Sequence, residues 1–323
     1  MYSEVTCWES FRFPKEYLPT LLRELKLSGA RSGHADGMWR TVRYGRMRYK
    51  FEPMELLLTF LARMAYPSRM PDLSRLLGGR SPTAYSEAFS LVLNHIYTHF
   101  APKIQDITRW APQAAEFADA IHELSPCPRC IGFIDGTFRR AARPTTGQRQ
   151  LYNGYYRGHG IKFQSVVGPN GLILDFFGPV AGRRSDGYLL RRSRFLARMA
   201  RLCVLAGASF YVYGDPAYPL GRYLLRGFKG AMTVAQQTFS TAMSSVRETV
   251  EWGFALIVRD WTFVDFRTNN KLHEQPIGKL YFVAAIMANI KTCYMAEAHD
   301  DRGNQIASMF GVEPPTVHEY LYG

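Results

Sequence analysis

Two aspartates stand where an apolar run meets a turn signal. Asp135 follows Ile131-Gly132-Phe133-Ile134 and precedes Gly136; Asp215 follows Tyr211-Val212-Tyr213-Gly214 and precedes Pro216. Each run reads as a short strand, and the residue after each acid stops that strand with the carboxylate exposed. A third acid, Glu251, lies in Val250-Glu251-Trp252-Gly253-Phe254, whose apolar character predicts a place near the sheet rather than in bulk water. Converging carboxylates are hard oxygen ligands suited to Mg²⁺ or Mn²⁺. Two such ions about 3.5–4 Å apart activate a water and stabilise the leaving oxygen of a phosphodiester. Aspartate also caps turns without any ligand, and spacing alone leaves both readings open.

The charge around these acids is lopsided. Lys+Arg number 40 and Asp+Glu 27, a net +13. Between Gly136 and Arg201 stand thirteen basic residues, twelve of them arginine, against Asp175 and Asp186 alone. Thirteen minus two places +11 of the surplus in about one fifth of the chain. Arginine grips phosphate oxygens in pairs, so the partner indicated is a polyanion, nucleic acid before an acidic membrane surface. A solvated basic face is the plainer alternative. Arg183 and Arg184, in a loop with Gly182 and Ser185, read as contacts to a DNA backbone, indifferent to sequence and weakened by salt. His159 and Lys162 either reach the scissile phosphate or, equally, pack in a turn and point to water.

The surrounding elements follow from pattern. Residues 1–50 predict irregular structure with one short helix around Leu18–Leu27. From Glu52 to about Ile107 the period is helical: Met54, Leu57, Leu58, Leu61 and Met64 recur at three- and four-residue steps. A second short helix starts at Asp72. After the turn Gly78-Gly79-Arg80, Ser81 is a helix cap and Pro82 the first helical residue of a third helix running towards His99. Helix, short helix, turn, helix is a helix-turn-helix-like order. Pro112 to Pro128 reads as a linker. Ile161–Val167 and Leu172–Phe177 predict a hairpin about Gly168-Pro169-Asn170-Gly171. One amphipathic helix is expected over Asp186–Leu205, a strand over Ser209–Tyr213, and a short strand over Ala231–Ala235. A helix from Ser240 to about Asp260 carries Val246, Val250, Phe254 and Ile257 on one stripe. The whole predicts an α/β class.

Hydrophobic residues at 47% and charged ones at 21% exclude collagen, low-complexity disorder and a disulfide miniprotein. Five scattered cysteines and a polar, leaderless opening predict a reducing intracellular compartment and a soluble protein. The most apolar stretch, Leu280–Ala288, falls well short of the roughly 20 residues a membrane span needs, so no membrane is expected. Cys127 and Cys130 form a lone CxxC without the further ligands that zinc requires. His95 and His99 lack the glutamate of a metalloprotease helix, and Gly227–Gly230 lacks phosphate-loop spacing.

The strings Ile134–Pro144, Gly158–Gln164, Gly178–Leu190, Tyr213–Leu220 and Ser245–Phe254 together resemble the catalytic domain of Harbinger-type (PIF/Harbinger) transposases and their derivatives, the DDE superfamily endonucleases. The resemblance runs over roughly residues 50 to 295. It implies an RNase H-like mixed sheet flanked by helices, preceded by a helical, helix-turn-helix-like region. The division expected is an N-terminal extension (1–50), a helical region (51–125), the nuclease domain (126–270) and a C-terminal helical segment and tail (271–323). By position in the family's motifs, Asp135, Asp215 and Glu251 are the catalytic, metal-binding triad for two Mg²⁺ or Mn²⁺ ions, and Asp186 is a further acid. His159 and Lys162 are accessory, and Arg139, Arg140, Arg183 and Arg184 touch DNA. The activity implied is metal-dependent DNA cleavage or transposition, with water or a DNA 3′-hydroxyl as nucleophile. The alternative is a domesticated, non-catalytic DNA- or chromatin-binding protein that keeps the fold. DNA, a separate Myb-like DNA-binding protein and a second copy of the chain are the partners implied, in the nucleus.

Overall fold

The computed structural model describes residues 2–27, 41–44, 47–228, 230–265, 271–272, 274–299 and 305–323. The N-terminal part is more ordered than its sequence suggests. Helices α1 (Glu4–Phe11) and α2 (Leu18–Glu24) precede an antiparallel pair, β1 (Thr41–Tyr44) and β2 (Met47–Lys50). Phe11, Phe13 and Leu21 of this region are completely buried, so its scattered aromatics are core anchors, which a search for a single period overlooks.

The expected helical series follows as α3 (Pro53–Ala65), α4 (Met70–Leu77) and α5 (Pro82–Ile104). Gly78 closes α4 in the left-handed region at φ 106°, a conformation that favours glycine. Ser81 caps α5 by accepting the Ala84 N–H, with Pro82 in its first turn. Helix α5 packs on α3 and α4. The stretch read as a linker holds α6 (Ala114–Leu124), whose Ala114, Phe117, Ala118 and Ile121 are buried against the sheet. Those spacings of three and four residues form a helical stripe, which the flanking prolines outweigh in a local reading.

The sheet begins with β3 (Cys130–Arg140), followed by α7 (Gln148–Leu151), β4 (Tyr152–Asn153), β5 (Gly158–Val167) and β6 (Ile173–Ala181). The predicted β5–β6 hairpin is present. The single helix expected over Asp186–Leu205 is instead two, α8 (Asp186–Arg192) and α9 (Phe195–Leu205). They part at Arg194, whose φ is 53°, while the Ser193 hydroxyl donates to Leu190 O and accepts the Phe195 N–H. The last strands are β7 (Tyr211–Gly214) and β8 (Leu224–Arg226). No strand forms over Ala231–Ala235; Val234 already opens α10 (Val234–Asp260), with Thr233 and Gln236 in a reciprocal capping box. The strand sits earlier because Leu224–Arg226 pairs in parallel with β7, a long-range contact that leaves no local period.

Main-chain pairing runs β6–β5–β3–β7–β8, with β4 on the β5 edge. The β6, β5 and β3 strands are mutually antiparallel, whereas β3, β7 and β8 are parallel. This is a mixed α/β architecture with a mixed sheet covered by helices, as expected.

The chain closes with α11 (Ile277–Glu297), α12 (Gln305–Phe310) and α13 (Val317–Tyr322). Helix α11 is apolar on every side, and the consequence is burial on every side: it packs against α5, α10, β6 and α13. Inside it Asn289 is 2% exposed, and its amide accepts the Ile173 N–H at 2.9 Å while donating to Ile173 O at 2.9 Å and Tyr320 Oη at 3.0 Å. No described helix is long and apolar enough to cross a membrane.

Candidate active site

The sheet brings Asp135 and Asp215 together by register. Ile134 pairs with Gly214 across the parallel β3–β7 ladder, and the next residue along the chain is an aspartate in each case, Asp135 within β3 and Asp215 just past the end of β7. Neighbouring strands lie about 4.8 Å apart, which sets the two acids side by side. The expected turn after Asp135 is not there, since β3 runs on through Gly136 to Arg140. Gly136 serves a different purpose: a Cβ there would stand 2.5 Å from Asp186 Oδ1. The glycine is what lets α8 bring a third acid against the strand. Strand β7, by contrast, ends at Gly214, and Asp215 Oδ1 accepts the Ala217 N–H at 2.7 Å.

Burial pushes the Asp135 carboxyl up to about 6, and the neighbouring Asp215 and Asp186 charges add to that rise. The Gly136 N–H, donated to Asp135 Oδ1 at 2.8 Å, and Arg247 of α10 act in the opposite direction. Asp186 is itself paired, its Oδ1 lying 2.6 Å from Lys162 Nζ. Lys162 is 6% exposed and therefore does not point to water. His159 stacks edge-on against Tyr152, with ring centroids 5.4 Å apart.

Tyr218 completes the cluster and was not singled out by its sequence context. It is 1% exposed, its hydroxyl has no hydrogen-bond partner among the described residues, and burial first, then the charges of Asp186, Asp135 and Asp215, raises its proton affinity. The only local hint is its position three residues beyond Asp215, within the turn that this aspartate organises; the Tyr218 N–H donates to Asp215 O.

Glu251 is placed differently from the expectation. Val246, Phe254 and Ile257 of α10 are buried as predicted, and the side chain of Val250 lies outside the described residues. Gly253 seats the helix on β5, since a Cβ there would meet Val167 Cγ2 at 2.7 Å. Glu251, however, is 62% exposed, and Arg247 one turn away is 3.9 Å from it. Trp252 is itself 39% exposed, so adjacency to it does not bury the acid. Among the described residues no group of three or more His, Cys, Asp and Glu side chains is close enough together to hold a metal. Asp135 and Asp215 fit a divalent cation, which would relieve the repulsion between two adjacent carboxylates; the third ligand is not assembled beside them.

The arginines divide into two kinds. Arg139 is tucked in, its guanidinium 4.7 Å over the Tyr281 ring and 3.2 Å from Asp265 Oδ1. It is a packing residue rather than a free phosphate contact. Arg183 and Arg184 are exposed, with Arg184 4.6 Å over the Tyr188 ring; Arg140 is exposed as well but donates to Tyr156 O at 2.8 Å. Cys127 and Cys130 are buried free thiols, and burial pushes Cys130 up to about 12.

The fold is thus an α/β mixed sheet with two neighbouring aspartates and an arginine-rich rim, and its sequence is similar to known proteins over that sheet. Residues 134–289 match the family of DDE superfamily endonucleases. The chain is also similar to "Protein ALP1-like" of Arabidopsis thaliana, 22% identical over 241 residues, covering 68% of this chain. It spans 58% of that relative's length. No solved structure matches the chain.

Proposed function

We propose that the chain is a divalent-metal-dependent DNA endonuclease of the transposase type. The observation that carries this reading is the side-by-side placement of Asp135 and Asp215 on the parallel β3–β7 pair. The strand order, three antiparallel strands joined to two parallel ones, supports an RNase H-like reading of the sheet. Asp135 and Asp215 would hold Mg²⁺ or Mn²⁺, with Glu251 brought in from α10 when DNA binds. Bound there, a pair of such ions would supply activation of the attacking water or 3′-hydroxyl and stabilisation of the leaving oxygen. The chain's own groups do the rest. Lys162 neutralises Asp186 beside the reacting acids, Tyr218 offers a buried hydroxyl to them, and Arg140, Arg183 and Arg184 hold DNA phosphates. The helical region 51–125 as a DNA reader, a Myb-like partner, self-association, the expected four-part division and a nuclear location all follow from the family resemblance.

The test is cleavage of a cognate terminal repeat with Mg²⁺ or Mn²⁺ by the wild type and by Asp135→Asn. Loss of cleavage in the variant, with DNA binding retained, is the expected result; unchanged cleavage sinks the proposal. The exposure of Glu251 favours a second reading, a non-catalytic DNA-binding protein. That reading requires equal DNA affinity with and without chelator and no cleavage with any metal.

A further inference from the structure

The rim of the site carries an aromatic surface that none of the foregoing chemistry uses. Strands β4 and β5 form a tight hairpin, Tyr152 opposite His159 and Asn153 opposite Gly158, with Gly154-Tyr155-Tyr156-Arg157 as its loop. The loop is held from several sides. Asn153 accepts the Tyr156 N–H through Oδ1 at 3.2 Å and donates to Gly182 O at 2.7 Å. Arg140 donates to Tyr156 O at 2.8 Å. The Tyr156 ring lies flat on Phe138, centroids 4.6 Å apart and planes 2° from parallel. On this fixed stack stands Tyr155, edge-on to Tyr156 at 4.9 Å and 88% exposed.

An aromatic ring that exposed gains nothing from burial, yet the frame beneath it is rigid, so little ordering remains to be done when a flat partner arrives. Its surroundings say which partner. Arg157 in the loop is exposed, as is Arg183, whose N–H donates to Gln150 O and so ties the arginine loop to this edge. The site acids are close by: Phe138 stands three residues beyond Asp135 on β3, and Gly182, held by Asn153, is four residues before Asp186. Stacking rings flanked by guanidinium groups are the combination that holds an unpaired base and its phosphates.

We infer that Tyr155, on the Phe138–Tyr156 stack, is a base-stacking platform that receives an unpaired DNA base next to the scissile phosphate. The inference rests on the nuclease reading for its location, but stacking needs no metal and is measured separately from cleavage. DNA at the site is thus expected to be frayed, tailed or flipped rather than a closed duplex.

The experiment compares the full chain binding a blunt duplex with binding the same duplex carrying a short single-stranded tail, both in EDTA, with 2-aminopurine as the first tail base. Wild type should prefer the tailed DNA by about tenfold, the size of one base–aromatic stack, and quench the 2-aminopurine. Tyr155→Ala should lose both while binding blunt duplex unchanged, and Tyr155→Trp should keep both. Equal affinity for the two DNAs in wild type, or quenching that survives Tyr155→Ala, overturns the platform. Tail preference without cleavage under any metal refutes the nuclease and leaves the platform standing; cleavage without tail preference does the reverse. Failure to bind either DNA overturns both.

Discussion

Replacing Asp135 by Asn should stabilise the metal-free fold at neutral pH while abolishing cleavage. The folded carboxyl binds its proton more tightly than the unfolded one, about 6 against the ordinary 3.8. Between those values the folded state holds more protons, so the stability linked to this group is complete below about pH 3.8 and is lost as pH rises through 6. That gap corresponds to about 3 kcal/mol, at roughly 1.4 kcal/mol per tenfold in proton affinity. Asp135 is only partly buried, and screening by solvent reduces the expectation to about 1–2 kcal/mol. Asparagine keeps an oxygen for the Gly136 N–H and discards the charge. Urea unfolding in EDTA, followed by tryptophan fluorescence, should therefore show Asp135→Asn more stable than wild type at about pH 7.5 and equal to it near pH 4. Added Mg²⁺ should stabilise wild type and leave the variant unmoved. A variant no more stable than wild type at neutral pH, or an advantage independent of pH, would refute the idea that Asp135 is held as a strained carboxylate.

Three further outcomes are expected. Asp175 is completely buried and gripped by Nη1 and Nη2 of Arg198; Arg198→Met should cost about 3–5 kcal/mol in urea unfolding, and Asp175→Leu/Arg198→Met should recover much of it. Burial holds His95 down at about 4, so the unfolded chain protonates first and stability falls as pH drops from 6.5 towards 4. His95→Gln should flatten that limb by about 2–3 kcal/mol, and an unaltered limb in denaturation at stepped pH would dismiss His95 as its cause. Removing two phosphate contacts by Arg183→Ala/Arg184→Ala should lower the slope of log affinity against log salt by about 1.8, read by fluorescence anisotropy; an unchanged slope would exclude both from the DNA interface.

The parts of this fold that were legible in sequence are those with a local cause. Strands β3, β5, β6 and β7 are apolar runs bounded by turn residues, and α3 to α5 announce themselves by period and by the Ser81-Pro82 cap. Strand β8 has three residues and exists because β7 lies beside it, so nothing local marks it. The two aspartates were legible as strand-end acids, although that of β3 lies within a longer strand. The Lys162–Asp186 pair and the buried Tyr218 hydroxyl were not, because each is created by elements that meet only in space. Exposure on a helix was the least legible property: Glu251 sits among apolar neighbours in sequence, yet at 3.6 residues per turn it falls about 140° from Val246 and about 120° from Ile257, past the edge of the buried stripe.

Helix α11 decides how far this chemistry can be moved from one protein to another. The stretch that matches the endonuclease family ends at residue 289, inside α11, three turns into a helix that continues to Glu297. Its packing partners include α5 from one end of the chain and α13 from the other, as well as β6 of the sheet. A gene fusion or recombination event that borrowed only the matched stretch would leave a severed apolar helix with half its neighbours missing. The carboxylate pair is therefore not a cassette: the smallest heritable unit that keeps it upright includes the helices on both sides of the sheet.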